Sequence, residues 1–388
     1  MQGLTMDYQL TLPALLKRAD TLFDKQEIVT RLPDKGFHRY TYKDFVRRSK
    51  KLAVALGELG LQKSDRVATL AWNQYQHLEA YFGVPSAGLV LHTINPRLKG
   101  HEIAYIINHA EDKVLLIDET MAPLIEGFKN DVDLERILVF SASGEAPEGL
   151  ASYEEFIEGG DESAFEYPEL DEDDAAALCY TSGTTGRPKG ALYSHRCICL
   201  HSLLVCMPDT FGISVEDTIL PVVPMFHVNA WGIPFASTMI GCKQVFPGPH
   251  MDPESLLENL EQEKVNFTAG VPTIWLGILQ ILDKEPDKYD LSNLKAMGVG
   301  GSAAPEAMIR GFQERHGLSV LHAWGMTEMA PVGTAGYITP DLLEEPMDTQ
   351  YKYRAKQGIQ LPFIEIRARG DEGFIPWDGQ TMGELEVR

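Results

Sequence analysis

Short apolar runs alternate with helical patterns along most of this sequence. Near the start, Thr41 and Asp44 have the spacing of a helix capping box, and apolar residues recur on one helical face behind them. An extended apolar run follows at 66–71, then a helical segment at 77–87 and another extended run at 89–94. Such alternation is typical of parallel sheets with crossover helices, so we predict an α/β fold.

The same alternation continues to the end of the chain. Helical patterns at 253–264 and 305–316 separate some of the later strands, and 364–388 looks rich in β-structure. The segment 141–174, with many Gly, Pro, Ser and carboxylate residues, is predicted to be an exposed connection. The further predicted strands are 114–118, 137–140, 175–181, 190–194, 219–223, 243–246, 265–269, 296–299 and 320–323.

Charge and composition exclude several classes of function. There are 56 acidic and 34 basic residues, a net charge of -22, which disfavours nucleic acid as a partner. No basic segment leads into an apolar stretch at the start and no 18 consecutive apolar residues occur, so we expect a cytoplasmic protein without a membrane span. The five cysteines form no CxxC pair, which favours buried, reduced thiols.

The segment 180–190, YTSGTTGRPKG, concentrates glycines, hydroxyls and Lys189 directly after a predicted strand. Glycines allow the backbone to approach phosphate oxygens closely, hydroxyls donate hydrogen bonds, and lysine supplies a positive charge. The spacing is not that of a Walker A loop, because Gly186 is followed by Arg187 and Pro188 rather than directly by lysine. A Ser/Gly-rich turn on its own is more often a linker, but the full string is far more specific.

The whole string resembles the signature of the adenylate-forming superfamily, which includes acyl- and aryl-CoA synthetases, peptide-synthetase adenylation domains and firefly luciferase. Three later segments are similar to motifs of that family: 224–231 (PMFHVNAW), 298–305 (GVGGSAAP) and 322–328 (HAWGMTE), in which Trp324 replaces the family's tyrosine. Matches at TYKDF, DRVATLAWN and INPRL extend the resemblance over nearly the whole chain.

The resemblance implies roles for matching residues. Thr327 would contact the α-phosphate, and Glu328 would hold Mg²⁺, which prefers oxygen ligands. The residues implied to be catalytic are Thr184, Lys189, His227, Thr327 and Glu328, with Thr184 and Glu328 at the metal. Those implied to bind ATP are Thr181, Ser182, Gly183, Thr185, Gly186, Gly300, Gly301, Ser302, Ala303, His322, Ala323, Trp324, Gly325 and Met326.

An acid-binding pocket is implied around His227. Trp231 matches an aromatic gate to the fatty-acyl tunnel of similar long-chain synthetases, and Val271 begins an apolar wall; ordinary core packing explains such residues equally well. WGMTE alone would likewise serve as a helix cap. The implied pocket residues are His227, Val228, Trp231, Val271, Gly298, Gly325 and Val332.

The resemblance also predicts the domain organisation. The chain would be a large N-terminal ATP/acyl-binding domain, 1–388, with two α/β subdomains of mixed, largely parallel sheets, about 52–190 and about 1–51 with 191–335. An incomplete β-rich subdomain would occupy about 336–388. Family members continue into a small mobile C-terminal domain that carries a further lysine, so we expect a fragment with impaired adenylation.

The implied reaction is ATP-dependent activation of a small-molecule carboxylic acid to acyl-AMP with release of pyrophosphate, followed by transfer to coenzyme A. A medium- or long-chain fatty acid is the expected substrate, and similar synthetases are often homodimers. An aryl-acid or amino-acid adenylating enzyme is one alternative, although Asn229 and its apolar neighbours offer an ammonium group no obvious acidic partner. A non-catalytic nucleotide-binding module is the alternative from another class.

Overall fold

A computed structural model describes residues 5–181 and 186–388 of the chain. Its strands are β1 (Glu27–Arg31), β2 (Phe37–Thr41), β3 (Arg66–Leu70), β4 (Val90–Thr93), β5 (Asp112–Asp118), β6 (Arg136–Phe140), β7 (Ala151–Ser152), β8 (Ala175–Thr181), β9 (Lys189–Ser194), β10 (Thr218–Pro221), β11 (Lys243–Phe246), β12 (Phe267–Gly270), β13 (Ala296–Val299), β14 (Val320–Gly325), β15 (Val332–Ala335), β16 (Ile359–Gln360), β17 (Ile366–Gly370), β18 (Gly373–Phe374) and β19 (Glu384–Val387).

The helices lie between these strands. They are α1 (Leu12–Leu22), α2 (Tyr42–Glu58), α3 (Tyr75–Ser86), α4 (Gly100–Ala110), α5 (Tyr153–Glu158), α6 (His195–Val205), α7 (Val228–Trp231), α8 (Ile233–Ile240), α9 (Pro253–Gln262), α10 (Pro272–Lys284), α11 (Glu306–His316), α12 (Pro340–Leu343) and α13 (Met347–Arg354). In the described residues, 3-10 segments cover Glu119–Gly127, Glu162–Ala164 and Thr327–Met329. None of the helices described is long and apolar enough to cross a bilayer.

The strands form three sheets. The first has the order β7-β6-β5-β3-β4-β8-β9 and is parallel except at its edge strand β9. The second has the order β16-β15-β14-β13-β12-β10-β11-β1-β2, with antiparallel strands at both edges and a parallel interior. A small antiparallel sheet, β18-β17-β19, follows. The structure therefore confirms the predicted α/β class with largely parallel sheets.

Helices packed between the two large sheets join them into one hydrophobic core. That core includes residues of α1, α2, α3 and α8 together with strands of both sheets. At the start of α2, the Thr41 hydroxyl accepts the Asp44 N–H and the Asp44 carboxylate accepts the Thr41 N–H at 3.1 Å, which confirms the predicted capping box. The fully buried Phe45, Leu52 and Leu56 form the inner face of this helix.

The segment 141–174 differs from its sequence prediction as an exposed connection. Its first half contains β7 and α5, and the Tyr153 and Ile157 side chains of α5 are fully buried. The Tyr153 hydroxyl donates to Glu79 at 2.8 Å, and Arg48 bridges Glu79 and Glu154. The sequence did not predict this short buried helix, because its two apolar side chains stand among many carboxylates that are typical of an exposed segment. The division into subdomains stays a prediction.

Candidate active site

A cavity of about 560 Å³ lies where the carboxyl ends of strands from both large sheets meet. This is the edge at which open α/β sheets commonly bind ligands. Residues after β4, β8, β10, β13 and β14 contribute to its walls. The lining residues are Thr93, Ile94, Asn95, Leu98, Ile106, Cys179, Tyr180, Thr181, Pro188, Lys189, Phe226, His227, Val228, Trp231, Gly300, Gly301, Ala323, Trp324, Gly325, Met326, Thr327, Glu328, Pro331 and Val332.

The two segments expected to surround a triphosphate face this one cavity. Lys189 begins β9, and Glu328 lies in the 3-10 turn after β14, yet both line the cavity. The hydroxyl of Tyr193, on β9, donates to the carbonyl of Thr327 and so ties the strand to the turn. The predicted residues Ser182, Gly183, Thr184 and Thr185 lie outside the described residues. The cation of Lys189, the hydroxyl residue Thr327 and the carboxylate residue Glu328 therefore line the same cavity.

Glycine is required at position 325 because the backbone of the following segment passes very close to it. A Cβ on Gly325 would lie 2.3 Å from the carbonyl oxygen of Pro331, so a larger residue would push the two backbones apart. Trp324 packs beside Gly333, where an added Cβ would lie 3.1 Å from its ring, and it also lines the cavity. The glycine next to this aromatic residue thus allows the close backbone contact that shapes this part of the cavity wall.

Gly300 and Trp231 form a second close contact in the wall. A Cβ on Gly300 would lie 2.8 Å from the Trp231 ring and 3.0 Å from the carbonyl oxygen of Ala323. Trp231 is only 7% exposed, so its indole is almost fully buried beside the residue that follows β13. Glycine at this position allows the indole to close one side of the cavity.

The residues around Trp231 have an unusual backbone. Val228, Asn229, Ala230 and Trp231 have φ values of 46°, 51°, 49° and 56°, and Gly232 follows at 70°. The helical turn α7 is therefore left-handed, a conformation that costs roughly 1–2 kcal/mol per L-residue. Asn229 supports it from inside, because its Oδ1 accepts a hydrogen bond from the Cys179 thiol at 2.7 Å. Such strain persists only where the surroundings hold it, often at functional sites.

His227 precedes this turn and lines the cavity. Burial lowers the pKa of the His227 imidazole below its ordinary value of 6.5, so the ring is neutral at pH 7. Phe226 beside it packs edge-on against Trp72, with ring centroids 6.2 Å apart. Burial also raises the pKa of the Cys179 thiol to about 11, so this cavity-lining cysteine stays protonated. The His227 and Cys179 side chains that line the cavity are therefore uncharged at pH 7.

Several predicted site residues lie away from the lining. His322 is buried, and its Nδ1 lies 3.1 Å from the carbonyl oxygen of Ala355. Gly298 packs against Ala269, and Val271 lies beside Gly301, where an added Cβ would be 3.3 Å from it. Three more predicted residues are exposed outside the lining: Gly186, Ser302 and Ala303.

Sequence reasoning missed some residues of the site. Tyr193 and Cys179 were not assigned a role, although both lie on strands that flank the glycine-rich loop. Thr93 and Asn95 line the cavity at the end of β4. The signal for Asn95 was a polar residue just after a buried parallel strand, in a segment that resembles a family motif; Thr93 ends that strand and gave no separate signal.

The side chains present suit a nucleotide with Mg²⁺. Hard cations take oxygen ligands, which Thr327 and Glu328 offer, and the Lys189 ammonium complements phosphate. Among residues 5–181 and 186–388, no group of three His, Cys, Asp or Glu side chains could hold a metal by itself. An ion at Glu328 would therefore complete its shell with phosphate oxygens and water, as Mg²⁺ at nucleotide sites usually does.

The chain is also similar to known proteins. It is 44% identical to a medium-chain-fatty-acid–CoA ligase of Ectopseudomonas oleovorans, covering 100% of this chain and 72% of that protein. A long-chain-fatty-acid–CoA ligase of Thermus thermophilus is also 44% identical (99% and 70% covered), and a 3-methylmercaptopropionyl-CoA ligase of Ruegeria pomeroyi is 41% identical (100% and 72%).

Solved structures share the fold. The anthranilate CoA ligase AuaEII in complex with anthranoyl-AMP superimposes with a TM-score of 0.86 at 23% identity, covering 100% of this chain and 71% of that one. The N-terminal domain of FACL13 from Mycobacterium tuberculosis gives 0.77 at 24% identity, with 94% and 86% covered. The family model described as AMP-binding enzyme matches residues 17–388. The chain therefore belongs to the AMP-binding, adenylate-forming enzyme family, among its acid–CoA ligases.

Proposed function

We propose that this chain activates a medium- or long-chain fatty acid as its acyl-adenylate, using ATP and Mg²⁺, with coenzyme A as the final acceptor. The observation that carries the proposal is the meeting of two kinds of surface in one cavity. Lys189, Thr327 and Glu328 supply polar groups suited to phosphate and metal, and Trp231 and Val332 supply an apolar wall.

Activation overcomes the low electrophilicity of a carboxylate. A carboxylate oxygen attacks the α-phosphorus of ATP and forms a new P–O bond, while the bond to the bridging oxygen breaks and its electron pair leaves with pyrophosphate. No proton transfer is needed in this step. The enzyme's task is therefore to position two anions and to stabilise the charge on the phosphates.

The residues of the cavity suit that task. The Lys189 ammonium would offset charge on the phosphates, and the Thr327 hydroxyl would donate to an α-phosphate oxygen. Glu328 would hold Mg²⁺, which supplies Lewis-acid neutralisation of phosphate charge. Neutral His227 adds no charge beside the incoming carboxylate and could donate one hydrogen bond to it.

The apolar side of the cavity favours an aliphatic acid. Ile94, Leu98, Val228 and Val332 line the cavity with Trp231 and offer hydrocarbon surface without a charge. Recognition of an amino acid would need a buried carboxylate for the ammonium group, and Glu328 is the lining carboxylate already assigned to the metal. Three relatives named as ligases of fatty acids or of 3-methylmercaptopropionate support the same class.

The test measures acid-dependent exchange of labelled pyrophosphate into ATP with octanoate, palmitate, benzoate and phenylalanine. We expect one of the fatty acids to give the highest rate. Glu328→Gln should reduce the rate at least about 100-fold, because it removes the charged ligand that would hold Mg²⁺ against the phosphates. Glu314→Gln, at an exposed position on α11, is the control and should leave the rate unchanged.

Three results would contradict the proposal. Full exchange by Glu328→Gln would show that this carboxylate holds no required metal. Exchange with benzoate or phenylalanine alone would replace the fatty acid with an aryl or amino acid. If Mg²⁺-dependent ATP binding occurs but no acid supports even slow exchange, the result favours a non-catalytic nucleotide-binding module.

A further inference from the structure

His201 lies behind the cavity wall on α6. Its side chain is 5% exposed and is absent from the lining, yet it contacts two segments that form the acyl side of the cavity. The Nε2 atom of His201 accepts a hydrogen bond from the backbone N–H of Val332 at 3.2 Å. Val332 itself lines the cavity.

The other edge of the ring meets the left-handed turn. A Cβ on Gly232 would lie 2.5 Å from Nδ1 of His201, so the imidazole is pressed against this glycine backbone. Gly232 directly follows Trp231, whose indole closes one side of the cavity against Gly300. A single side chain therefore touches the ends of both wall segments, one through Nε2 and the other through Nδ1.

The turn needs support of this kind because its backbone is unfavourable for four of its five residues. At its centre Asn229 is held through the Cys179 thiol, and at its end His201 packs against Gly232. The pair of contacts made by His201 fixes the turn relative to the Val332 backbone. Because Trp231 and Val332 both line the cavity, a change in their relative position would change the space available to a substrate chain.

We propose that His201 is a positioning residue that sets the width of the acyl pocket by joining the Val228–Trp231 turn to Val332, and so determines which aliphatic chains fit. This inference rests on the proposed function, because it assigns the acyl chain to that side of the cavity. His201 touches no substrate in this arrangement and acts through Trp231 and Val332.

The same helix provides a matched control. His195, the first residue of α6, is also buried, and its Nδ1 accepts the backbone N–H of Leu12 at 3.2 Å. Burial lowers the pKa of both imidazoles to about 4, so both rings are neutral acceptors at pH 7. His195 is absent from the cavity lining, as is Leu12. Replacing His201 removes a buried acceptor that is bonded to a cavity-lining residue, whereas replacing His195 removes a buried acceptor that is not. Comparing the two variants separates a pocket effect from a general loss of stability.

The kinetic test compares His201→Leu, which keeps bulk but has no acceptor, with His201→Gln, whose amide oxygen can reach a similar position to Nε2. Pyrophosphate exchange is measured with a series of saturated acids from hexanoate to palmitate. We expect His201→Leu to raise KM for the preferred acid roughly tenfold and to shift the preferred chain length, while KM for ATP changes less than about twofold. His201→Gln should restore the parent's chain-length preference. His195→Leu should lower stability but leave the chain-length preference unchanged.

A second readout does not require activity. Amide hydrogen exchange of the segment containing Val332, measured without ligand, should be about tenfold faster in His201→Leu, near normal in His201→Gln, and unchanged in His195→Leu. If His201→Leu does not fold, His201→Asn takes its place, because the shorter amide does not reach the Val332 N–H.

The outcomes separate this inference from the proposed function. If no acid supports exchange in the unmodified chain, the proposed function fails, and hydrogen exchange at Val332 alone decides whether His201 holds this wall. Unchanged protection of Val332 in folded His201→Leu would overturn the inference. An unchanged chain-length preference in an active His201→Leu enzyme, or an equal shift in His195→Leu, would overturn it as well.

Discussion

Replacing Tyr193 with phenylalanine tests the link between the two segments that face the triphosphate. The Tyr193 side chain is 5% exposed, and its hydroxyl donates to the Thr327 carbonyl beside Glu328. Burial raises the pKa of this phenol well above its ordinary value, so the hydroxyl is a donor throughout the working pH range. Tyr193→Phe removes one oxygen atom and leaves the ring in place.

The magnitude follows from the loss of a buried hydrogen bond. Leaving the Thr327 carbonyl without this partner costs about 1–3 kcal/mol. If that loss falls on the geometry needed for catalysis, kcat/KM for ATP should drop roughly 5- to 150-fold, at about 1.4 kcal/mol per factor of ten. The acid is not bound by this contact, so KM for the acid should change little. Steady-state pyrophosphate exchange with each substrate varied in turn gives both constants.

Tyr42→Phe is the matched control. The Tyr42 hydroxyl donates to the Cys242 carbonyl at 2.7 Å, in the core and away from the cavity. Tyr42→Phe should lower the urea midpoint by about as much as Tyr193→Phe does. It should leave kcat/KM for ATP and KM for the acid unchanged. The reasoning is refuted if folded Tyr193→Phe keeps normal ATP kinetics, or if Tyr42→Phe impairs them equally.

Two further predictions concern the acyl pocket and acid stability. Trp231→Ala should change the ratio of kcat/KM between octanoate and palmitate by about 10- to 200-fold, because the indole closes one side of the cavity; equal ratios in the variant and the parent would contradict its role there. Burial lowers the pKa of His77 and His201 to about 4, whereas unfolded histidine titrates near 6.5. As pH falls from 6.5 towards 4, these histidines become protonated in the unfolded chain but stay neutral in the folded chain. The free energy of unfolding should therefore fall, by about 2 kcal/mol per histidine at pH 5. Urea unfolding at pH 7.5 and 5.0 measures this, and equal midpoints would contradict the prediction.

Local signals in the sequence predicted much of the fold. The Thr41 and Asp44 pair marked the start of α2, and the runs at 243–246 and 296–299 became strands with those bounds. These features depend on neighbouring residues, which is why a sequence pattern can reveal them. The small apolar run at 175–181 was likewise predicted within the bounds of β8.

Other features depend on contacts between distant residues and could not be read locally. The left-handed turn begins at Val228, a β-branched residue that gives no sign of a positive φ. Tyr193 and His201 acquire their partners, Thr327 and Val332, more than a hundred positions later in the chain. The prediction that Lys189 and Glu328 share one site came from the resemblance to a family. Periodicity and composition alone placed them in separate segments.

The second sheet has a consequence for biosynthesis. Strand β1 pairs with β2 on one side and, in parallel, with β11 on the other. Residues 243–246 leave the ribosome long after residues 27–31, and at roughly 5–20 residues per second the delay is about 10–40 s. Throughout that interval the early hairpin has a free edge that can pair with other nascent chains. Slower translation before β11 should therefore increase the demand of this protein for chaperones.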